Sequence, residues 1–268
     1  MHQLTEGTAA EIIGPLNAPV VVLVHGLGLC REVWQWQISD LAKQFRVITY
    51  DLYGHAESNN PPEEPSLRLF ANQLLVVLDA FNVTKAAIVG FSLGGMIARR
   101  FAQDHPDRVS ALAILHSPHK RSPDAQDAIL KRVEQAKVEG SGGTVEAALD
   151  RWFTQSYREG NPVIMDLVRE WVLSNDIAIY HRNYRVLADG IDEIVAPTPA
   201  IIAPTLVVTG DEDFGNGPEM TRAIANEIVG AETLILKGLR HMALAEDPDA
   251  INRPLIAFLE RHLRVTTS

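Results

Sequence analysis

A single cysteine, Cys30, stands in the 268-residue chain, so no internal disulfide can staple the fold. Long hydrophobic runs are missing too. The longest, Val20 to Val24 with an extension through His25 and two glycines to Leu29, falls well short of the roughly 20 apolar residues a bilayer requires. The opening Met1-His2-Gln3-Leu4-Thr5-Glu6 has no basic region leading into an apolar core, so no secretory signal is read and a cytoplasmic location is expected. Segregated positive charge is also lacking. The formal net charge is −10, and Arg99-Arg100 and Lys131-Arg132 read as isolated, solvated pairs on helix surfaces. Nucleic acid and anionic membranes are therefore not expected partners. Gly26 and Gly28 lack the following glycine and downstream acid of a dinucleotide site. Histidines and carboxylates show no metal-type spacing, so no metal is expected.

What is present is a chain with 46% hydrophobic residues, enough for one large core. Short, almost continuously apolar runs read as strands covered on both faces: Val20–Val24, Arg46–Tyr50, Lys85–Val89, Ala111–Leu115, Thr205–Thr209 and Glu232–Leu236. Helix-period segments lie between them, near Glu32–Gln44, Leu67–Phe81, Leu93–Asp104 and Glu219–Val229. A last helix is expected near Arg253–Leu263, becoming regular only around Pro254. This alternation predicts an α/β fold with a doubly wound, mostly parallel sheet. It breaks between about Ser117 and Pro204, where the period is helical and prolines crowd both edges. The expected organisation is a core from residues 1–117, a helical cap insertion at 118–203, and a second core part at 204–268. Trp152, Phe153 and Trp171 in the insertion would either line a pocket or hold the insertion onto the core.

The chemistry starts at Gly90-Phe91-Ser92-Leu93-Gly94. An apolar strand runs into a helix through one residue, and glycines on either side supply the room for so tight a bend. Ser92 at its tip would be raised against the positive end of the helix. Acyl transfer by serine needs a base, a group that orients the base, and donors for an oxyanion. Strand 205–209 ends in Gly210-Asp211-Glu212-Asp213, and strand 232–236 leads to His241. A parallel sheet collects these loops at one edge, in the chain order serine, acid, histidine. His241 is the expected base and Asp213 its expected partner, with Asp211 as rival. His25-Gly26-Leu27-Gly28 after strand 20–24 could turn N–H groups toward an oxyanion, and Leu27 and Leu93 are the expected donors. Among the other histidines, His25 is expected to brace the glycine turn and His55 to bond a loop. His2, His105 and His262 read as surface residues. His116, His119 and His181 flank or occupy the insertion and could touch substrate; with Trp152 and Met242, His116 and His181 are candidate substrate contacts.

These motifs, with Asp51-Leu52-Tyr53-Gly54-His55, Ser58, and His241-Met242 before Glu246-Asp247-Pro248, make the chain resemble the α/β-hydrolase superfamily. Within it the chain is similar to single-cap small-molecule hydrolases, especially ketoadipate enol-lactone hydrolases and related esterases, through Arg151-Trp152-Phe153-Thr154. The resemblance implies a Ser92–His241–Asp213 triad, an oxyanion hole at Leu27 and Leu93, a pocket between core and cap, and no cofactor. The expected reaction is hydrolysis of a small carboxylic ester or lactone through an acyl-Ser92 intermediate, by a monomer or homodimer. The alternatives are a carbon–carbon hydrolase of meta-cleavage products and, in another class, a ligand-binding receptor on a hydrolase fold. Residues 119–196 hold 10 Lys/Arg against 13 Asp/Glu, so composition shows no bias toward a carboxylate substrate.

Overall fold

The apolar, β-branched run Val20–Val24 becomes a central strand because both of its faces are covered. The computed structural model describes residues 2–263. Its strands are β1 (His2–Gln3), β2 (Ala9–Ile13), β3 (Val20–Val24), β4 (Arg46–Tyr50), β5 (Ala86–Phe91), β6 (Val109–Leu115), β7 (Thr205–Gly210) and β8 (Glu232–Leu236). They form one sheet in the order β1-β2-β4-β3-β5-β6-β7-β8. Pairing is parallel from β4 to β8; only β1–β2 and β2–β4 are antiparallel. Every strand read from sequence is present. β1 and β2, which form an antiparallel edge, were not anticipated.

Alternate strand residues feed two cores, as the two-residue period of a strand demands. Val22, Val24, Ile48, Ile88, Leu112 and Ile114 pack toward helices α2 (Leu67–Ala80) and α3 (Leu93–Asp104). Val21, Leu23, Val47, Val89, Phe91 and Leu115 pack toward α1 (Gln35–Leu41) and the C-terminal helix. Between β6 and β7 the chain forms α4 (Pro123–Glu139), α5 (Val145–Trp152), α6 (Gln155–Gly160), α7 (Pro162–Leu173) and α8 (Ile177–Asp189), with no strand among the described residues. Ser122 and Asp176 cap α4 and α8 by accepting from Ala125 and Ala178 N–H. After β7 come α9 (Pro218–Asn226), α10 (Ala243–Glu246) and α11 (Pro248–His262).

Two expectations need correction. Helix α11 begins at Pro248, ahead of the expected start, and runs through Pro254. Asp247 caps it through Ala250 N–H, and Pro248 occupies the first turn, where a missing N–H is harmless. Arg99, expected on a helix surface, is 1% exposed. Its guanidinium donates to the carbonyls of Pro118 (3.2 Å) and Ile194 (3.0 Å) and pairs with Glu227 at 3.1 Å. Glu227 in turn accepts from Ala196 N–H at 2.9 Å and lies 3.0 Å from His119 Nε2. Both ends of the helical stretch are thereby fastened beneath α3.

Candidate active site

The parallel strands deliver the chemistry-bearing loops to one sheet edge. Ser92 sits between β5 and α3 with φ 55° and ψ −116°, a conformation that costs a residue with a Cβ about 1–3 kcal/mol. The surroundings hold it there. Its N–H donates to Leu115 O at 2.9 Å, and its carbonyl accepts from Gly95 N–H and Ser117 Oγ. The bend also depends on its glycines: a Cβ on Gly90 would lie 2.2 Å from Gly94 O, and one on Gly94 would lie 2.1 Å from Val24 O.

Asp213 follows β7 and is 5% exposed. Its Oδ1 accepts from the N–H groups of Gly215 (3.1 Å) and Asn216 (3.0 Å). Its Oδ2 accepts from His241 Nδ1 at 2.8 Å and from His116 Nδ1 at 3.0 Å. Burial pushes the carboxyl pKa up, but His241 and the hydrogen bonds from His116 and His241 outweigh it and hold Asp213 far below the usual carboxylate range. With Nδ1–H anchored on a carboxylate, the free ring nitrogen of neutral His241 is Nε2. Phe91 and Trp152 flank the His241 ring at 5.0 and 6.0 Å between centroids. Asp211 lies elsewhere: its Oδ1 accepts from Gly238 N–H at 2.7 Å. The acid beside the histidine is therefore Asp213.

The loop after β3 abuts Ser92 so closely that a Cβ on Gly26 would lie 3.1 Å from Ser92 Cβ. Two buried histidines set its shape. His25 Nε2 accepts from Leu52 N–H at 2.9 Å, which places its proton on Nδ1, 2.8 Å from Gly26 O. His55 Nε2 accepts from Gly28 N–H at 3.1 Å, and its Nδ1–H donates to Tyr53 O. Burial lowers their pKa values to about 4 and about 3, so both rings are neutral near pH 7. Among the described residues, neither Leu27 N–H nor Leu93 N–H donates to a protein acceptor.

Ser92, Asp213, His241, Leu27 and Trp152 line one cavity of about 100 Å³. Three of the candidate contacts do not line it. His116 is fully buried behind Asp213, Met242 is fully buried with its N–H on Trp152 O, and His181 sits on α8 with Nδ1 3.1 Å from Ile177 O. Trp171 packs edge-on against Trp36, and Phe153 stacks on Tyr157, so only Trp152 of the three large aromatics of the helical stretch reaches the cavity.

Arg121, Arg132 and Arg151 also line the cavity, against the expectation of a solvated Arg132. Arg132 donates to Tyr184 Oη at 3.0 Å, and Arg121 to the carbonyls of Leu187 and Ala188. Among the described residues none of the three has a carboxylate partner. Burial pushes Arg121 down to about 10 and also lowers Arg151, with Arg132 adding to both shifts by repulsion. Guanidinium groups without carboxylate partners at a cavity can receive an anion. A signal for Arg132 existed in the sequence, since it falls on the buried stripe of α4 between Ile129, Val133 and Ala136. His116, Asp213 and His241 have ligand atoms within 4.8 Å of one another, a spacing that suits a metal. Both Nδ1 atoms face Asp213 as donors, so the lone pairs a metal would need are not offered there.

A sequence-family profile described as the alpha/beta hydrolase fold matches residues 19–138. The chain is 28% identical over 258 residues to (E)-2-((N-methylformamido)methylene)succinate hydrolase of Acinetobacter baylyi, covering 96% of this chain and 97% of that protein. It is 28% identical to 3-oxoadipate enol-lactonase 1 of the same organism, covering 76% of this chain and 75% of that one. The crystal structure of the enol-lactonase from Burkholderia xenovorans superposes with a TM-score of 0.88 at 29% identity, covering 94% of this chain and 96% of that one. With its eight-stranded, mostly parallel sheet and the serine bend after β5, the chain has the α/β-hydrolase fold and resembles the enol-lactone hydrolases.

Proposed function

We propose that the protein is a serine hydrolase that cleaves a small, anionic carboxylic ester or lactone through an acyl-Ser92 intermediate. The observation that carries this reading is the shared cavity, where strained Ser92 and the Asp213–His241 pair meet three arginines without carboxylate partners. His241 Nε2 takes the Ser92 proton as Oγ attacks the substrate carbonyl. The resulting oxyanion accepts from Leu27 and Leu93 N–H, donors held in place before the charge develops. Collapse of the tetrahedral intermediate breaks the carbonyl–oxygen bond, and His241 returns the proton to the leaving oxygen. In a lactone the leaving hydroxyl stays attached to the acyl chain. Water, deprotonated by His241, then attacks the acyl-enzyme, and Ser92 recovers its proton. The helical stretch 118–203 acts as a cap that supplies Arg121, Arg132 and Arg151 for a substrate carboxylate. The relatives' names fit, since a succinate derivative and 3-oxoadipate enol-lactone both carry carboxylates.

The test compares initial rates on matched neutral and carboxylate-bearing esters and lactones, each blanked with Ser92→Ala. Ser92-dependent turnover with lower KM for the anionic member of each pair is expected. Rates equal to the blank on every ester and lactone would reject the reading; a ring-cleavage dione turned over faster than any of them would replace it with carbon–carbon hydrolysis.

A further inference from the structure

One buried titratable group at the site has no part in the steps above. His116 follows β6, and its Nδ1 lies 3.0 Å from the same Asp213 oxygen that accepts from His241 at 2.8 Å. Thr209 Oγ1, whose hydrogen goes to Asn216 O at 2.7 Å, lies 3.4 Å from that Nδ1. Both neighbours are acceptors there, so the proton of His116 resides on Nδ1. Nε2 is left with a lone pair, buried and without a partner. Burial lowers the pKa of His116 against the opposing pull of Asp213, so the ring is neutral. The backbone is unusual as well, with φ 50° at a residue that is not glycine. Val208 O accepts its N–H at 2.7 Å, and Asn216 Nδ2 donates to its carbonyl at 2.8 Å. An orphaned lone pair and a left-handed backbone at one residue persist only where the surroundings over-determine them, and such residues cluster at functional sites.

We propose that His116 is a positioning residue, which donates a neutral hydrogen bond to Asp213 Oδ2, fixes the carboxylate's rotation and moderates the negative charge that His241 feels. The proposal rests on the reading of Ser92, His241 and Asp213 as the catalytic set. Asp213 then accepts four hydrogen bonds, two on each oxygen, and has no freedom to turn. A carboxylate shared among four donors is a weaker acceptor for any one of them. It still sets the tautomer of His241, but it stabilises the imidazolium less than a carboxylate with three donors would. Besides Asp213, the charged group acting on His116 is Glu246, and the charged and titratable groups that line the cavity with His241 are Arg121, Arg132, Arg151, Tyr180 and Tyr184. His116→Leu and His116→Asn leave all of them in place.

The test is the pH dependence of Ser92 phosphonylation by a fluorophosphonate in wild type, His116→Leu and His116→Asn. The labelling rate reports activation of Ser92 by its base, whatever the natural substrate. Leucine removes the donor, whereas asparagine tolerates left-handed backbone and returns an N–H close to the place of Nδ1. In His116→Leu the acid limb should move to higher pH. The ratio of the rate at pH 6 to that at pH 8 should fall about two- to threefold, the change expected for half a pH unit, and His116→Asn should restore it. In an Asp213→Asn background, His116→Leu should not change that ratio further. Superimposable profiles in all three proteins would overturn the positioning role and leave the Ser92 reading intact. Equal losses in both variants, tracking a lower Tm, would assign His116 to packing and overturn it too. Absence of Ser92 labelling in the wild type would overturn the catalytic reading and this proposal together.

Discussion

Ser92 is held in a backbone geometry that few serines occupy, by bonds to Leu115 and Ser117 from the neighbouring strand and loop. At this scale the predictions concern single side chains. Ser92→Ala should lower kcat by about 10⁵–10⁶, with His241→Ala similar and Asp213→Asn less severe, because members of a triad act as a unit. Asp211→Asn should leave the rate near wild type, since Asp211 bonds Gly238 rather than a histidine. The reverse ranking in steady-state kinetics would place the orienting acid at Asp211. Arg132→Gln and Arg151→Gln should each raise KM for a carboxylate-bearing substrate by about 10–100-fold, the worth of a charged hydrogen bond, and barely change KM for its neutral analogue. Equal effects on both analogues would remove the arginines from anion recognition.

The element that most constrains the site is the join between β5 and α3. Gly94→Ala would set a Cβ 2.1 Å from Val24 O, which cannot be relieved by rotating a side chain. It should destabilise the fold by about 3 kcal/mol or more and abolish fluorophosphonate labelling, as chemical unfolding and active-site titration would show. This join was legible in sequence, because an apolar β-branched run, two glycines and a helical period leave the chain few alternatives there. The acid and histidine were legible for a related reason: a parallel sheet sends successive strand ends to one edge. Strand β2, Ala-Ala-Glu-Ile-Ile, escaped notice since alanine and a mid-strand glutamate weaken its signal. The start of α11 escaped because Pro254 reads as a breaker, whereas Asp247 and Pro248 form a start signal six residues earlier. The arginines of the cavity escaped for a different reason. A lone sequence assigns guanidinium groups to solvent by default, and Tyr184, which meets Arg132 at the cavity, lies 52 residues away in the chain.

For the molecule as a whole, the buried histidines link stability to pH. His25 and His55 have folded pKa values lowered to about 4 and about 3 by burial. Below the ordinary histidine range the unfolded chain therefore binds protons that the native state refuses, so stability is complete above about pH 6.5 and falls as pH drops. At pH 5 each histidine should have forfeited about 2 kcal/mol, and His116 shifts in the same direction. Asp213 acts lower: its depressed pKa stabilises the fold above the carboxylate range and is lost only in stronger acid. Urea melts should accordingly show about 4 kcal/mol less stability at pH 5 than at pH 7.5. Unchanged stability over that interval would mean that His25 and His55 accept protons in the native state.

Arg99 joins the carbonyls of Pro118 and Ile194 at a single guanidinium, so the long helical excursion leaves the sheet and returns to it through one narrow neck. A loop pinched at its base can lengthen, shorten or be exchanged without stretching the sheet it springs from, because the entropy of closing it is governed by the neck and grows only slowly with length. Under the proposed function, recognition and bond-breaking are then separable inheritances. The helices that carry Arg132 and Arg151 can drift toward new ligands while Ser92, Asp213 and His241 stay where the strands put them.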